Sequence, residues 1–452
     1  MKKYKLHQLL IQNHSDRTNL LENSSDRTIN LLGSGLNQTN SSNTCESLGF
    51  PEIPSIINTD RSLTKRLIAI GDIHGDLDLA LNCLTIANVI KQVYLYKDKD
   101  NVEIKDEESD ILSDFDDEDD DLPDDIVTLK YKDEEKPRYY KWIGQNTVVI
   151  QVGDQVDRCR PVDNECDHPN ETVNDEASDV KILFLFHDLH LVALKSPGCA
   201  VYSLLGNHEL LNVLGNLRYV SYKGLEEFKK KDSPSSSDQK DLFEGRKKAF
   251  DIKSDLKLYK EKSNLSNFLA CARVSSIIVD KYLFVHAGIL EKLINYTKKF
   301  SNSKETIHTI NDSIKNWLLN TDLKKDNKYI AQLLSGKTLS PFWPRIFGNL
   351  PSGLDKSNEL CTNHVDPVLK KLGLKGLVVG HTPQLKININ STCSGTVWRV
   401  DVGSSLAFEK VFDQDITDQS EDDKQKIKEG RKPQVLEITL NDDGEDTFIV
   451  LK

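Results

Sequence analysis

The sequence Ile70-Gly71-Asp72-Ile73-His74-Gly75-Asp76 places an acid and an imidazole directly after a short apolar run. The apolar residues at 67–70 predict a buried strand, and the pattern from Leu77 onward predicts a helix. Ligands of parallel α/β proteins bind at the carboxyl ends of the strands, so Asp72 and His74 could form half of a metal site there. An ordinary strand-to-helix turn with a capping aspartate would explain the same residues. Related clusters further along the chain favour the metal site.

Four further apolar runs also end in residues that bind metals or exchange protons. The clusters are Gly153-Asp154-Gln155-Val156-Asp157-Arg158, Gly206-Asn207-His208-Glu209, His286-Ala287-Gly288 and Gly380-His381. Taken singly, each has a structural alternative, since Asp154 could cap a helix and His286 could be a hydrogen-bonded core histidine. Five clusters in series, each directly after an apolar β run, indicate one site to which five strand ends contribute. The alternation of strands and helices around them predicts a parallel α/β layer.

The candidate metal ligands are oxygen and nitrogen donors without a thiolate. They are Asp72, His74, Asp154, Asn207, His286 and His381. This set favours Mn, Fe or Zn over calcium and over a thiolate-rich structural zinc. Six ligands are too many for one catalytic ion with open positions, whereas two ions about 3.5–4 Å apart use them naturally. Two divalent or trivalent ions of this kind activate a bridging hydroxide, so the predicted chemistry is direct hydrolysis of a phosphate ester.

In their order, the five motifs resemble those of the calcineurin-like metallophosphoesterases, and most closely the phosphoprotein phosphatase group. The resemblance covers about residues 66–405. It implies an α/β/β/α sandwich of two central β-sheets flanked by helices, with long polar insertions. It also implies that Asp72 and His74 hold the first ion and that Asp154 bridges both. The remaining ligands, Asn207, His286 and His381, would hold the second ion.

The resemblance also assigns roles to side chains beside the ions. His208 would protonate the leaving oxygen and Asp157 would orient it, since a neighbouring carboxylate raises the pKa of an imidazole and keeps it protonated near neutral pH. Arg158 matches the arginine that binds phosphate through two hydrogen bonds. The glycine that usually follows this arginine is Cys159 here, which changes the backbone freedom beside it.

Other segments point to one branch of the family. Pro341-Phe342-Trp343-Pro344-Arg345 resembles a segment of the bacterial-like, Shewanella-type phosphatases, and Arg345 is the candidate for a second phosphate arginine. Leu217-Arg218-Tyr219-Val220 and Asp401-Val402-Gly403-Ser404 are similar to the same group, which makes Arg218 a third phosphate-binding candidate. Diadenosine-polyphosphate hydrolases look similar but generally lack the acid found here at Asp157.

Composition divides the chain into a tail and one catalytic domain. Residues 1–60 are rich in Asn, Ser and Thr, so we expect a disordered low-complexity tail. Residues 66–452 contain no domain-sized linker and form the expected metallophosphoesterase domain. An acidic insertion at about 97–138, with thirteen acidic residues among the twenty from Asp106 to Asp125, is expected to be disordered because like charges repel and stay solvated. A second, charged insertion is expected at about 225–262.

Local patterns predict the remaining elements. Leucine spacing predicts a helix from Leu77 to about Lys91, and Asp179 is expected to cap a helix that reaches Lys195. A hairpin is predicted at 275–285. The last strands are predicted at 397–402, 406–411, 435–440 and 447–451, with a charged loop at 413–431.

Charge and cysteine content restrict the partners. The net charge of −12 argues against a nucleic-acid scaffold, because phosphate backbones need a basic face. The chain has no apolar run of about 18 residues and no secretory signal pattern, so we expect no membrane partner and a cytoplasmic location. Eight scattered cysteines do not form a disulfide framework, and we expect reduced thiols. For Cys159 and Cys166, near His168, a local disulfide and an extra metal site are alternatives to ordinary thiols.

Together these features predict a metal-dependent phosphatase. The expected substrate is a phosphorylated protein or a small phosphoester, and a protein phosphatase is favoured. A nucleotide or diadenosine-polyphosphate hydrolase is the alternative enzyme. A catalytically weak adaptor that binds through its acidic loop is the alternative from another class, although every proposed ligand and His208 are present.

Overall fold

The computed structural model describes residues 41–98, 101–106, 122–129, 137–228, 239–260, 262–300, 305–321, 327–335, 338–385, 387–416 and 419–452. Across these residues the strands are, in chain order, β1 (Ile56–Ile57), β2 (Arg66–Ile70), β3 (Ile90–Asp98), β4 (Asn101–Lys105), β5 (Ile126–Leu129), β6 (Arg138–Trp142), β7 (Thr147–Gln151), β8 (Ala200–Ser203), β9 (Ser276–Val279), β10 (Tyr282–Val285), β11 (Gly376–Val379), β12 (Asn390–Thr392), β13 (Val397–Arg399), β14 (Val435–Thr439) and β15 (Thr447–Leu451).

The helices of the same residues are α1 (Ser41–Ser47), α2 (Leu77–Ile86), α3 (Asp179–Ala193), α4 (Asn207–Val213), α5 (Tyr222–Glu226), α6 (Gln239–Phe250), α7 (Leu265–Ala272), α8 (Glu291–Thr297), α9 (Thr306–Leu318), α10 (Asn327–Leu334), α11 (Ile346–Asn349), α12 (Glu359–His364), α13 (Asp366–Leu372), α14 (Glu409–Ile416) and α15 (Glu421–Gly430). A 3₁₀ turn, Leu406–Phe408, precedes α14. Within the described part of the chain, no helix has both the length and the apolar character needed to cross a lipid bilayer.

The first sheet carries the first three motifs and has the strand order β15-β14-β2-β7-β8. Strands β2, β7 and β8 are parallel neighbours, and β14 pairs with β2 in the antiparallel sense. Because side chains alternate across a strand, Leu67 and Ala69 of β2 point to one face and Ile68 and Ile70 to the other. Each pair lies in a different buried core, so both faces of this sheet are covered.

The second sheet carries the last two motifs and has the strand order β1-β9-β10-β11-β13-β12. Strands β9 and β10 form the antiparallel hairpin predicted at 275–285. Strands β10, β11 and β13 are parallel neighbours. The chain therefore leaves β10 and β11 at the same edge of the sheet, where His286 and His381 follow.

The two sheets pack face to face. Leu67 of β2 is buried in one core with Phe284 of β10 and Val378 of β11. Helices α2 and α3 cover the outer face of the first sheet, and helices α7, α8 and α9 cover that of the second. This order of layers confirms the predicted α/β/β/α class.

A third sheet lies within the expected acidic insertion, with the order β4-β3-β6-β5. The predicted helix from Leu77 ends at Ile86, and Ile90 begins β3 instead. The expectation of disorder at 97–138 is therefore wrong where β4 and β5 form, because these segments pair with β3 and β6. The most acidic residues, 107–121, lie outside the described residues, as do residues 1–40 of the expected tail.

The strand predicted at 406–411 is wrong. The segment forms the 3₁₀ turn and the first turn of α14, and α15 occupies most of the predicted charged loop. Phe408, Phe412 and Ile416 recur every fourth residue, which is the spacing of one helix face. Phe412 and Ile416 bury this face against Ile427 of α15.

The described part of the charged insertion at 225–262 contains α6. One face of this helix is buried, and it includes the fully buried Arg246. Residues 229–238 lie outside the described part of the chain.

Disulfide bonds correct the expectation of reduced thiols for six of the eight cysteines. The pairs are Cys45–Cys271, Cys159–Cys166 and Cys361–Cys393. Cys83 and Cys199 are buried thiols. The two long-range pairs escaped prediction because cysteines far apart in sequence, such as Cys45 of α1 and Cys271 of α7, carry no spacing signal that reveals their contact. The local Cys159–Cys166 disulfide is one of the alternatives that the sequence left open.

Candidate metal centre

Asp154 lies at the centre of the predicted ligand set. Its Oδ2 is 3.8 Å from Nε2 of His74, 3.9 Å from Nε2 of His208 and 3.2 Å from Nε2 of His286. Two groups of buried side chains share this carboxylate, one with His74 and His208 and the other with His286 and His381, and the donor atoms of each group lie within 4.8 Å of one another. The arrangement could hold a cation on either side of Asp154.

Asp72 and Asn207 complete the cluster. Oδ2 of Asp72 lies 3.9 Å from Nε2 of His74 and accepts a hydrogen bond of 3.0 Å from the backbone N–H of His381. Oδ1 of Asn207 lies 3.0 Å from Nε2 of His286. All six predicted ligands are therefore brought together at the carboxyl ends of the strands.

Backbone carbonyls orient the imidazole rings. His286 Nδ1–H donates to the carbonyl of Val152 at 2.9 Å, which leaves Nε2 as the nitrogen that faces Asp154. His74 has the same arrangement, with the Val156 carbonyl at 3.3 Å from Nδ1. A carbonyl can only accept a hydrogen bond, so each partner determines which ring nitrogen presents its lone pair to a metal.

The backbone at the centre adopts conformations that non-glycine residues rarely adopt. His74, Asp154, Asp157 and His381 have φ values of 48°, 53°, 75° and 65°. Left-handed conformations of this kind are costly and cluster at functional sites. The surrounding structure holds the backbone of these four residues in a strained conformation, which indicates a shared function.

Two motif glycines allow the ligands to approach. A Cβ at Gly206 would lie 2.1 Å from Oδ1 of Asp154, and a Cβ at Gly380 would lie 2.3 Å from Oδ1 of Asp72. Any side chain at either position would displace a carboxylate of the cluster. The glycines of these motifs are therefore steric requirements of the site.

The electrostatics of the cluster fit a bound cation. Burial raises the pKa of Asp72 well above its usual range, and the carboxylates of Asp401 and Asp154 add to this effect. Burial also raises the pKa of Glu209 to about 7 and that of Asp401 to about 6. Burial opposes ionisation of Asp154 too, but His286 and other histidines hold its pKa well below the ordinary value. Several carboxylates buried together are costly unless a positive charge compensates them, so the residues fit a metal centre.

His208 lies beside this cluster and pairs with Asp157. Its Nδ1 is 2.7 Å from Oδ2 of Asp157, and the other oxygen of that carboxylate accepts a hydrogen bond of 2.8 Å from Nδ2 of Asn212. The expectation of a raised imidazole pKa is wrong, however. Burial lowers the pKa of His208, and the attraction of Asp154 and Asp157 does not reverse the shift.

The three predicted phosphate arginines have different surroundings. Arg345 donates a hydrogen bond of 2.8 Å to the carbonyl of His381, so it borders the ligand cluster. The guanidinium of Arg218 lies over the ring of Tyr219, which packs against His208. Arg158, by contrast, is buried and pairs with Glu176 at 2.8 Å, which disagrees with its expected role because its charge is already compensated there.

Sequence reasoning missed two arginines at the centre. Arg160 reaches His74 and His208, and Arg246 of α6 lies 3.5 Å from Asp157. Arg160 could have been found, since it lies only two residues beyond Arg158, the last residue of the second motif. Arg246 lies in a charged segment with no motif, so no local signal identified it.

The geometry agrees with comparisons to known proteins. Residues 65–385 match the family model described as Calcineurin-like phosphoesterase. The uncharacterized protein R398 of Acanthamoeba polyphaga mimivirus is 36% identical over 236 residues, which cover 50% of this chain and 89% of that protein. Shewanella-like protein phosphatase 2 of Arabidopsis thaliana is 25% identical over 382 residues, which cover 79% of this chain and 76% of that protein.

A solved structure gives a weaker likeness. The structure is that of a serine/threonine phosphatase of Saccharomyces cerevisiae with similarity to human phosphatase PP5. The superposition covers 91% of this chain and 88% of the yeast chain, with a TM-score of 0.41 and 11% sequence identity. A likeness at this level adds nothing to the assignment. The match to the family model spans more than half of the sequence, and the chain therefore belongs to the calcineurin-like phosphoesterase family and is a phosphatase.

Proposed function

We propose that this chain hydrolyses phosphomonoesters with a dinuclear metal centre and that its substrates are phosphorylated proteins. The position of Asp154 between His74 on one side and His286 and His381 on the other is the observation that carries the proposal. When bound, two ions of Mn, Fe or Zn would supply a water of lowered pKa and neutralise charge on the phosphoryl oxygens. The proposed reaction is direct attack of water on phosphorus, without a covalent intermediate.

The ligands divide into two sets. Asp72 and His74 would hold one ion, and Asn207, His286 and His381 would hold the other. Asp154 would bridge them, since its Oδ2 lies between the imidazoles of His74 and His286. The carbonyl partners of these imidazoles support the assignment, because metal-binding histidines usually donate their second N–H in this way.

His208 would act as the general acid for the leaving oxygen. Its Nδ1–H donates to Asp157, so Nε2 is the atom that exchanges a proton with the substrate. Asp157 and Asn212 hold the ring in place. Positioned proton transfer of this kind contributes about 10²–10⁴-fold to a rate.

Two features favour a protein phosphatase over a diadenosine-polyphosphate hydrolase. Asp157 is present and bound to His208, and dinucleotide hydrolases generally lack the equivalent acid. A relative that matches most of the chain is named a protein phosphatase. Arg345 and Arg218 remain candidates for contacts to the phosphate. We propose residues 66–452 as one catalytic domain.

A cytoplasmic location remains a prediction. The expectation of reduced thiols supported it, whereas disulfide bonds form and persist in oxidising compartments. The three disulfides of the chain therefore remove the cysteine argument for the cytoplasm.

Hydrolysis of three substrates tests the proposed function. The full chain would be assayed with p-nitrophenyl phosphate, a phosphopeptide and diadenosine tetraphosphate, in Mn²⁺ and in chelator, beside an Asp154→Asn variant as the inactive control. We expect hydrolysis of the first two substrates that depends on metal and is lost in Asp154→Asn. Turnover of none of the three would overturn the enzymatic proposal and favour the adaptor, and a preference for the dinucleotide would replace the proposed substrate class.

A further inference from the structure

The second motif ends in Arg158, Arg160 follows it two residues later, and the surroundings of the two arginines differ. The guanidinium of Arg158 is buried, donates to the carbonyls of Gly75 and Asn174, and pairs with the carboxylate of Glu176. It also lies 3.4 Å from Asp76, the residue that caps α2. Both terminal nitrogens of Arg158 are engaged by these partners, and binding a substrate phosphate through them would require the residue to leave Glu176 and the two carbonyls, so its role is to join the first and second motifs.

Arg160 lies at the metal-ligand cluster itself. Its Nη2 is 2.9 Å from Nε2 of His74 and 3.4 Å from Nε2 of His208. These are the proposed ligand of the first ion and the proposed proton donor. The guanidinium therefore borders the region between the proposed ion and the leaving group, where the phosphoryl group of a substrate would lie.

Aromatic rings and carbonyls hold this guanidinium. Its carbon lies 4.5 Å from the ring centroid of Phe408 and 5.2 Å from that of Tyr219, distances typical of cation–π contacts. Nη1 donates to the carbonyls of Cys159 and Asp157. The same rings pack against the imidazoles, Phe408 on His74 and Tyr219 on His208. The rings thus fix the arginine and the histidines relative to one another.

The backbone that carries Arg160 is also fixed. Cys159 is bonded to Cys166, and its N–H donates to the carbonyl of Tyr219. Glu171 accepts hydrogen bonds from the backbone N–H groups of residues 162–164 and pairs with Lys410 of α14. The cysteine that replaces the usual glycine therefore anchors a loop that presents the next side chain to the centre.

Charge identifies the ligand. The guanidinium of Arg160 would repel a metal ion held by His74 and Asp154, because both are positively charged and lie at the imidazole of His74. An anion between them removes the repulsion, and the planar guanidinium matches the oxygens of a phosphoryl group with two parallel hydrogen bonds. We propose that Arg160, and not Arg158, is the arginine that binds the substrate phosphoryl group; this inference rests on the phosphatase function proposed above.

Binding of inorganic phosphate tests the inference independently of turnover. Phosphate would be titrated calorimetrically into the Mn²⁺-loaded full chain, with Arg160→Gln, Arg160→Lys and Arg158→Gln as variants. We expect Arg160→Gln to weaken phosphate binding about 10–100-fold, the range of a charged hydrogen bond, with unchanged manganese content. Arg160→Lys should recover part of the loss, since it restores charge without the planar fork. Arg158→Gln should lower the melting temperature and keep the wild-type phosphate affinity while folded.

The outcomes separate this inference from the function on which it rests. Wild-type phosphate affinity in Arg160→Gln would overturn the role of Arg160. Loss of phosphate binding in a folded, manganese-loaded Arg158→Gln variant would overturn it too, by returning the role to Arg158. A wild-type chain that neither binds phosphate nor hydrolyses phosphoesters would instead overturn the proposed function itself.

Discussion

The pairing of His208 with Asp157 depends on residues far apart in sequence. Arg246 of α6 donates to Oδ1 of Asn212 at 2.7 Å and pairs with Asp179 at 2.6 Å, while Asn212 donates to Asp157. The fully buried guanidinium of Arg246 thus lies next to Asp157, the acid that orients His208. The network therefore supports Asp157 from the side opposite the imidazole of His208.

Replacing the proposed proton donor tests its role. We expect His208→Asn to lower kcat by about 10²–10⁴-fold, because the leaving oxygen loses its proton source, while the bound manganese stays unchanged. Steady-state assays and elemental analysis of the same sample give both values. His308→Asn, at an exposed position of α9, is the control and should behave as wild type. Loss of manganese from His208→Asn would make it a metal ligand instead.

Replacing the buried arginine tests its contribution to stability. We expect Arg246→Leu to reduce the free energy of unfolding by about 3–5 kcal/mol, since Asp179 and Asp157 would lose their buried counter-charge. Urea denaturation measures the change. Lys247→Leu, the next residue of α6, is the matched control and should change stability by less than about 1 kcal/mol because its ion pair with Glu244 is exposed. Equal effects of the two variants would contradict the role of Arg246.

At the scale of single residues, the sequence predicted which candidate ligands lie together but not the side chains that support them. Asp72 and His74 were identifiable because a strand ends immediately before them, so local order determines where they lie. The surroundings of Arg158 and Arg246 depend on Glu176 and Asp179, which reach them through tertiary packing alone. Sequence spacing does not reveal such contacts. The motif therefore predicted phosphate binding by Arg158, whereas the folded chain pairs this arginine with Glu176.

Among the elements, the central strands of the two packed sheets and the helices that follow Asp76 and Ser178 were predicted, whereas the third sheet and the helix at 409–416 were not. Continuous apolar runs such as 147–151 admit one interpretation, because both faces of a central strand are buried. The segment at 406–416 combines short apolar runs with a helical spacing, and its burial against α15 selects the helix. The third sheet escaped prediction since its strands lie beside a highly acidic stretch.

Opening the disulfide between Cys159 and Cys166 tests whether a loop outside the ligand cluster positions a residue of the site. We expect Cys166→Ser to lower kcat/KM about tenfold, because a displaced Arg160 costs binding and orientation, while manganese content is retained. Cys45→Ser opens a disulfide between α1 and α7 and should lower stability by about 2–4 kcal/mol with unchanged KM. Identical kinetics of Cys166→Ser and wild type would contradict the positioning role of this loop.

At the scale of the whole molecule, an ionic cluster joins the two packed sheets. Arg61 pairs with Asp280, in the turn between β9 and β10, and with Asp446, just before β15. Asp446 also accepts a hydrogen bond from the hydroxyl of Tyr282 at 2.8 Å. Burial opposes its ionisation, but the hydrogen bonds from Arg61 and Tyr282 hold the pKa of Asp446 below its ordinary value.

This cluster predicts a pH dependence of stability. A carboxyl group whose pKa is lower in the folded than in the unfolded protein stabilises the fold at pH values above its unfolded pKa of about 4. This stabilisation is lost as the pH falls through the pKa of the folded state. We expect Asp446→Asn to cost about 1–3 kcal/mol at pH 7 and progressively less under acid conditions. Urea denaturation of both proteins at several pH values measures the difference. A difference that does not shrink on acidification would contradict the assignment.

The dinuclear centre is tested most directly by phosphatase activity as a function of the number of Mn²⁺ ions bound per chain. Metal-depleted protein would be titrated with Mn²⁺ while bound metal and p-nitrophenyl phosphate hydrolysis are followed in the same samples. Because Asp154 is shared by two ligand groups, we expect activity to rise as the second ion binds and to disappear in chelator. Full activity with a single ion, or activity that persists in chelator, would contradict the dinuclear mechanism.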